Sequence, residues 1–352
     1  MAKTVFVGMS GGVDSSVSAL LLKEQGYNVV GIYMRNWSQD LPGMKCPWAE
    51  DLADAKRVAV KLGIDFKVFD FEKEYREKVV EYMLAEFRKG NTPNPDIMCN
   101  QEIKFKLFYK KAMEQGADYI ATGHYARIID GKLARAIDEN KDQTYFLYRI
   151  SDEALAHTIF PIGEMMKPDV KELAAKQGLH NAYKKESMGV CFVGEVGMKD
   201  FLKEYINIEP GEIREVESEK ILGYHEGSMF YTIGQRHGLY LSGVTGEIND
   251  GLPYYVVAKD LDRNVVYVSK NLNDKHIWTD ELEIKDMVIR QELPETVLVR
   301  LRHRAPLISV KIIPRKGKTA MLKFKNKIKR PAPGQSAVIY NDEICLGGGI
   351  IK

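Results

Sequence analysis

The sequence is poor in cysteine, has almost no net charge, and lacks any long apolar run. Four cysteines (Cys46, Cys99, Cys191, Cys345) in 352 residues are too few for a disulfide scaffold. None sits in a CxxC pair, which argues against a structural zinc site. No stretch approaches the ~20 consecutive apolar residues of a membrane-spanning helix. Lys and Arg number 51 against 49 Asp and Glu, a formal +2, and summed over the chain that balance points to no polyanionic partner. Internal repeats and low-complexity tracts are also missing. With 45% hydrophobic and 28% charged residues the composition is that of a globular chain, not a disordered one. Met1-Ala2-Lys3 leads straight into an apolar run, which predicts no signal or transit peptide, and the few thiols fit a reducing cytoplasm.

A chain of this length is expected to hold two or three domains, because single cores stop growing near ~250–300 residues. The first third alternates strand and helix patterns. Strands are predicted over 5–7, 28–34, 66–69 and 119–121, and helices over 13–25, 50–62, 72–89 and 103–115. Gly26, Gly63, Gly90 and Gly116 stand where helix C-caps belong. This order predicts an α/β fold with a doubly wound parallel sheet and ligands at the strand carboxyl ends. After about residue 205, turn residues recur every few positions between short β-rich runs such as 254–257 and 265–268. Pro306, Pro314, Pro331 and Pro333 restrict helices in the last seventy residues. The expected division is a catalytic domain at 1–204, a small connecting domain at 205–280, and a C-terminal antiparallel β-barrel at 281–352.

Gly8-Met9-Ser10-Gly11-Gly12-Val13-Asp14-Ser15 lies between the first strand and the first helix. Adjacent glycines let backbone amides approach an anion, the helix N-terminus adds partial positive charge, and Ser10 and Ser15 can donate further hydrogen bonds. There is no lysine to make a Walker loop and no GxGxxG to make a dinucleotide fingerprint. The segment resembles the phosphate loop of the ATP pyrophosphatase superfamily, whose members cleave ATP between the α- and β-phosphates and adenylate an oxygen. Related loops serve small-molecule adenylating enzymes and enzymes that thiolate RNA, so the loop alone does not separate them.

Two cysteines sit in settings that suit chemistry as well as packing. Cys99 lies in Asn94-Pro95-Asp96-Ile97-Met98-Cys99-Asn100, read as a polar turn ahead of a helix. Cys191 lies in Met188-Gly189-Val190-Cys191-Phe192, with Lys184 and Lys185 upstream. A helix N-terminus or nearby cations lower a thiol pKa, whereas most intracellular cysteines are small core fillers. Chemistry alone leaves both readings open.

Taken together, these segments resemble the tRNA-specific 2-thiouridylase family. Further matches are Ala121-Thr122-Gly123-His124-Tyr125, Lys141-Asp142-Gln143-Thr144-Tyr145-Phe146, Tyr231-Thr232-Ile233-Gly234-Gln235-Arg236, Pro333-Gly334-Gln335 and Leu346-Gly347-Gly348-Gly349, in order along nearly the whole chain. The resemblance implies that Gly8, Met9, Ser10, Gly11, Gly12, Val13, Asp14 and Ser15 hold the ATP phosphates, with Mg2+ carried on them, and that Met34 and Gly123 line the nucleotide site. It implies that Asn94, Pro95 and Asp96 contact a flipped wobble uridine, with Asp96 as general acid/base (though at this turn Asp96 could equally be an N-cap). Cys191 would carry the incoming sulfur as a persulfide. Cys99 would attack that persulfide and leave a Cys99–Cys191 disulfide, or hydrogen sulfide would be released first and then attack the base. Lys141, Asp142, Gln143, Arg300 and Leu301 would contact tRNA. The implied partners are tRNAs with lysine, glutamate and glutamine acceptors, and a cysteine desulfurase or sulfur-relay protein. Cys46 and Cys345 match no catalytic position, and Cys345 reads as a packed core thiol.

The charge reads differently by segment. Residues 296–330 carry twelve Lys or Arg and no Asp or Glu, which leaves −10 for the rest of a chain whose total is +2. Alternation over 299–304 and 322–330 predicts that the charges line one strand face, as phosphate-backbone contact requires. A small-molecule adenylating enzyme would explain the loop but not this stretch. A non-catalytic RNA-binding protein would explain the stretch but not the loop.

Overall fold

The computed structural model describes residues 2–40, 46–185, 197–239, 241, 252–271, 273–274 and 276–352. The amino-terminal region is built on five parallel strands: β1 (Thr4–Gly8), β2 (Asn28–Arg35), β3 (Asp65–Asp70), β4 (Tyr119–Thr122) and a short last strand. Between β4 and that last strand comes a hairpin of β5 (Ala126–Ile129) and β6 (Lys132–Arg135), and the last strand is β7 (Thr158–Ile159). The sheet order is β3-β2-β1-β4-β7, which puts the reversal of winding between β1 and β4 and a ligand crevice at their carboxyl ends.

Alternation along β1 explains the layering. Val5 and Val7 pack with α1 (Val13–Glu24), α2 (Trp48–Leu62) and the helix Lys167–Lys176 through Val17, Leu20, Val58, Val170 and Ala174. Phe6 faces the other layer, where Val79, Met83, Ile103 and Phe108 from helices 72–88 and 95–114 close over the sheet. A run buried on both faces is why β1 is continuously apolar. Gly26, Gly63, Gly90 and Gly116 all take positive φ at helix ends, as their placement in the sequence predicts.

One helix departs from expectation. The pattern predicts a start at Ile103, but the helix begins at Pro95. It is α-helical over Pro95–Met98, π-helical over Cys99–Phe108 and α-helical again over Tyr109–Glu114. Asn94 is the N-cap, its Oδ1 accepting from the backbone N–H of Asp96 (3.1 Å) and of Ile97 (3.4 Å). The Pro at the first helical position needs no N–H donor partner. Cys99 is therefore inside a helix and buried, not in a turn ahead of one.

The middle region has a four-stranded sheet of β8 (Gly211–Glu215), β9 (Ile221–His225), β10 (Tyr255–Asp260) and β11 (Val265–Ser269), ordered β10-β11-β8-β9. Ile213, Leu222, Val256, Val266 and Val268 form its core. The last region comprises β12 (Trp278–Ile289), β13 (Thr296–Arg300), β14 (Ile308–Arg315), β15 (Thr319–Lys329), β16 (Ser336–Asn341) and β17 (Ile344–Ile351). They run β12-β15-β14-β13-β16-β17, and β12 pairs back onto β17, closing an antiparallel barrel. The β5–β6 hairpin of the first region extends the same sheet, with Ala134 of β6 opposite Ile344 of β17. Cys345 is buried in this region, where loss of hydration pushes its thiol up to about 12, the behaviour of a core thiol. Among the described residues no helix is long and apolar enough to cross a membrane.

Candidate functional site

The loop after β1 is shaped by its glycines. Met9 extends the sheet by one hydrogen bond, its N–H donating to Ile32 O at 2.8 Å. The chain then turns at Gly11, whose φ of +78° and approach to Asp51 exclude a side chain: a Cβ there would lie 2.5 Å from the Asp51 carbonyl oxygen. Gly12 is extended and caps α1 with no side-chain hydrogen bond. The first amides of a twelve-residue helix therefore open onto the crevice. Ser15 Oγ accepts from the Ser10 N–H (3.2 Å), lies 3.3 Å from Ser10 Oγ and donates to Gly12 O (3.1 Å), which fixes the loop's curvature.

Met34 and Gly123 converge on this loop. Met34 Cε would be 3.0 Å from a Cβ at Gly8, and a Cβ at Gly123 would lie 2.6 Å from the backbone nitrogen of Ser15. Gly123→Ala is therefore expected to push the loop off its position, costing about 1–3 kcal/mol of stability and weakening ATP binding by at least about tenfold. Calorimetric titration with a non-hydrolysable ATP analogue checks it.

Three residues brace the loop from a distance, of which Lys167 and Asn181 carry no sequence signal that sets them apart, while Tyr125 ends the match over 121–125. Lys167, almost fully buried, places Nζ 2.6 and 2.8 Å from the two carboxylate oxygens of Asp14. The Tyr125 hydroxyl donates to Asp14 Oδ1 at 3.0 Å. Asn181 Nδ2 donates to both Gly11 O and Ser16 Oγ at 2.9 Å. Asp14 would otherwise oppose a polyphosphate, and the ammonium beside it offsets that charge. Lys184, one of the two lysines upstream of Cys191, is bonded to Asp51 (2.8 Å) and Asp54 (2.6 Å). Burial works against ionising Asp54, but Lys184 and His180 outweigh it and hold its carboxyl below the usual range.

The helix 95–114 brings a second set of groups to the end of β4. Asp96 is partly buried, and loss of hydration raises its carboxyl above the usual range, with Lys104 opposing the shift. Lys104 Nζ is 3.4 Å from His124 Nε2, and His124 Nδ1 is 2.8 Å from Thr122 Oγ1. Burial, reinforced by Lys104, holds His124 well below its ordinary pKa, so the ring is neutral at pH 7. Cys99 is in the same helix, one residue before the buried Asn100. Cys191 lies outside the described residues.

The segments read as RNA contacts meet at the junction of the first region and the barrel. Asp142 is fully buried and its Oδ2 accepts from Arg300 Nη1 at 2.7 Å. Its Oδ1 accepts from Thr144 Oγ1 (2.9 Å), and Thr144 Oγ1 lies 3.1 Å from the Tyr340 hydroxyl. Gln143 Oε1 accepts from the Tyr125 N–H at 2.9 Å. Arg300 and Leu301 are both buried, which corrects the expectation of a charged strand face over 299–304. β13 ends at Arg300, and the chain turns so that only Arg302 and Arg304 reach solvent. His303 packs on Phe146 with ring centroids 4.6 Å apart, and burial lowers its pKa to about 4. On β15 alternation holds as far as Lys325, with Lys323 and Lys325 exposed on either side of buried Phe324, and lapses at Asn326, which is exposed beside Lys327.

All three regions also touch the segment just before Asn94. Lys259 Nζ donates to Gly90 O (3.0 Å), Thr92 N–H to Pro333 O (2.8 Å), and Gln335 Nε2 to Thr92 O (2.7 Å). The sequence match at Pro333-Gly334-Gln335 thus has a physical basis: Gly334 takes a positive φ, and a Cβ there would lie 3.0 Å from Asn91 Cβ.

The tRNA methyl transferase HUP domain family matches residues 3–195, the tRNA methyl transferase PRC-barrel domain family 199–270, and the aminomethyltransferase beta-barrel domain family 276–351. Full-length relatives are similar throughout. A protein of Idiomarina loihiensis named tRNA-specific 2-thiouridylase MnmA is 48% identical, covering 100% of this chain and 96% of its own. Proteins of the same name from Listeria monocytogenes and Lactococcus lactis subsp. cremoris are 46% and 45% identical, each over 99% of this chain and 94% of theirs. With the phosphate loop, the Asp96–Cys99 helix and the closed barrel in one chain, and with these relatives end to end, the chain belongs to the tRNA-specific 2-thiouridylase family.

Proposed function

We propose that this protein uses ATP to replace the C2 oxygen of the wobble uridine of tRNA with sulfur. The observation that supports the reading best is the meeting of the phosphate loop with the helix bearing Asp96 and Cys99 at the carboxyl ends of β1 and β4, tied by the Lys104–His124 contact. The loop amides, Ser10 and Ser15 would hold the triphosphate. Uridine O2 would attack the α-phosphate, forming the O–Pα bond as the bond to the β-phosphate oxygen breaks and pyrophosphate leaves. AMP is then a far better leaving group than oxygen. Burial raises the Asp96 carboxyl above its ordinary range, which favours its protonated form and suits a proton-donating role beside the base, and Asn94, Pro95 and Asp96 would contact the base once it leaves its stack.

Sulfur would arrive from a cysteine desulfurase or relay protein as a Cys191 persulfide. The Cys99 thiolate would attack the Cys191 sulfur, forming the Cys99–Cys191 disulfide and expelling the outer sulfur as hydrosulfide. Hydrosulfide adds to C2 and AMP departs. The two electrons gained by the sulfur come from the two thiols, so a thiol reductant must reopen the disulfide before the next cycle. Among the described residues no group of three or more His, Cys, Asp or Glu is placed to hold a metal ion. Mg2+ is proposed only as cargo on the ATP phosphates, with no step assigned to it.

Lys323, Lys325 and Lys327, with Arg302 and Arg304, are proposed to meet the phosphate backbone of tRNAs with lysine, glutamate and glutamine acceptors. Lys141 and Gln143, which are half-buried, would contact the tRNA as well, while Asp142, Arg300 and Leu301, which are buried, would shape that surface from beneath. Pyrophosphate release measured with and without tRNA tests the reading. Release that needs tRNA supports it, tRNA-independent release points to a small-molecule adenylating enzyme, and no release points to RNA binding alone. Cys191→Ser is expected to abolish thiolation from a desulfurase donor, and wild-type rates in that variant would rule out the persulfide role.

A further inference from the structure

Asn100 is 3% exposed, and its Oδ1 has no hydrogen-bond partner among the described residues. Its amide cannot be turned the other way. Nδ2 donates to the Phe146 carbonyl oxygen at 3.2 Å, and a carbonyl can only accept, so the oxygen is the end left over. A buried acceptor without a donor carries an uncompensated desolvation cost, and such groups in native proteins call for an explanation.

Its place on the helix supplies one. Asp96, Asn100 and Lys104 are four residues apart and share a face of helix 95–114, and the wider turn of the π-helical stretch over Cys99–Phe108 keeps them aligned. Asp96 lies in the turn that would receive the target base, and Lys104 reaches His124 at the end of β4. Asn100 sits between these two points, next in sequence to Cys99.

We propose that Asn100 Oδ1 accepts the N3–H of the target pyrimidine and is the residue that admits uridine and excludes cytidine. This rests on the functional reading above. Uracil and cytosine both carry a C2 carbonyl, so adenylation chemistry at O2 does not distinguish them. They differ at N3, where uracil has a donor and neutral cytosine a lone pair. A fixed acceptor completes its hydrogen bond with the first and faces a second acceptor in the other, the situation in which buried polar groups discriminate most strongly. The Phe146 bond holds the amide in the orientation the discrimination needs.

The test compares full-length wild type with Asn100→Leu, the apolar isostere, and with Asn100→Ala. The substrates are tRNAs bearing uridine, cytidine or 3-deazauridine at the wobble position, and 3-deazauridine keeps the C2 carbonyl but has carbon at position 3. Both variants are expected to lose about 10- to 100-fold in kcat/KM for uridine while ATP binding is unchanged. The preference for uridine over 3-deazauridine should shrink by at least about tenfold from the wild-type ratio, because intrinsic reactivity differences cancel in that comparison. Pyrophosphate release with cytidine tRNA should rise relative to uridine tRNA. An unchanged uridine-to-deazauridine ratio in whichever variant folds overturns the assignment. A wild-type protein that forms no 2-thiouridine with uridine tRNA overturns the functional reading, and the assignment with it.

Discussion

Cys99→Ser is expected to stop 2-thiouridine formation, a loss on the order of 10³-fold or more, while leaving adenylation within about twofold of wild type. The separation follows from where Cys99 sits. Its helix is tied to the nucleotide crevice by Lys104, but the groups that would hold phosphate belong to the loop between β1 and α1 and to Gly123. A serine hydroxyl fits the buried position and leaves the N-cap at Asn94 untouched. What it lacks is a thiolate able to break a persulfide bond. Single-turnover assays reading pyrophosphate and nucleoside composition in parallel check both halves. Added sulfide provides a further readout. If free hydrosulfide attacks the adenylated base, Cys99→Ser regains thiolation when sulfide is supplied, whereas a persulfide sulfur that reaches the base from Cys191 only as Cys99 displaces it leaves the variant inactive. Normal thiolation in the variant without added sulfide would remove Cys99 from the chemistry.

The second large effect is on stability. Asp142→Ala is expected to destabilise the protein by about 3–5 kcal/mol, because it leaves the Arg300 guanidinium buried without its charge partner. The loss extends to Thr144, which donates to the same carboxylate, and through Thr144 Oγ1 to the Tyr340 hydroxyl. Adding Arg300→Met to Asp142→Ala should recover much of the loss, since replacing both charges by apolar surface removes the uncompensated one. Urea unfolding followed by fluorescence and by activity measures this. A single variant as stable as wild type would mean that the pair contributes nothing. By the same geometry, charge reversal at Arg300 would weaken tRNA binding through a disturbed junction with the barrel, whereas reversal at Arg302, which is exposed, addresses the proposed RNA-facing surface.

Local chemistry made much of this legible in the sequence. The phosphate loop could be read because its requirements are local: Gly11 must take a positive φ and leave room for Asp51, and two serines must lie close enough to brace one turn. Most of the parallel sheet could be read because β1, β2 and β3 are short and each leads into a helix that ends at a glycine, whereas β7, Thr158–Ile159, is too short to leave a pattern. Contacts that depend on distant partners could not be read. Asp14 and Lys167 are 153 residues apart, and nothing near Lys167 in the chain marks it as a partner for a loop carboxylate. The alternation Val299-Arg300-Leu301-Arg302 looks like an exposed charged face only if the strand continues. It ends after Arg300, and the residue that buries Arg300 is 158 positions earlier. The early start of the Cys99 helix was missed for a different reason. Its first turn is Pro-Asp-Ile-Met, and Asn-Pro-Asp is as much a turn signal as it is an N-cap followed by a first-turn proline.

The pairing of β6 with β17 has a consequence for synthesis on the ribosome. Ala134 and its sheet partner Ile344 are 210 residues apart, and at typical elongation rates the second follows the first by roughly 10–40 s. Throughout that interval the hairpin edge has no neighbour, and until residue 300 is made Asp142 has only Arg135, at 3.9 Å, and not Arg300 beside it. The nascent amino-terminal half therefore emerges with an open strand edge and a carboxylate that the finished molecule buries, and its last native contacts wait for the final strand to be made. An exposed edge of this kind is a template for pairing with other chains, so the protein is most vulnerable to aggregation before its carboxyl terminus is complete.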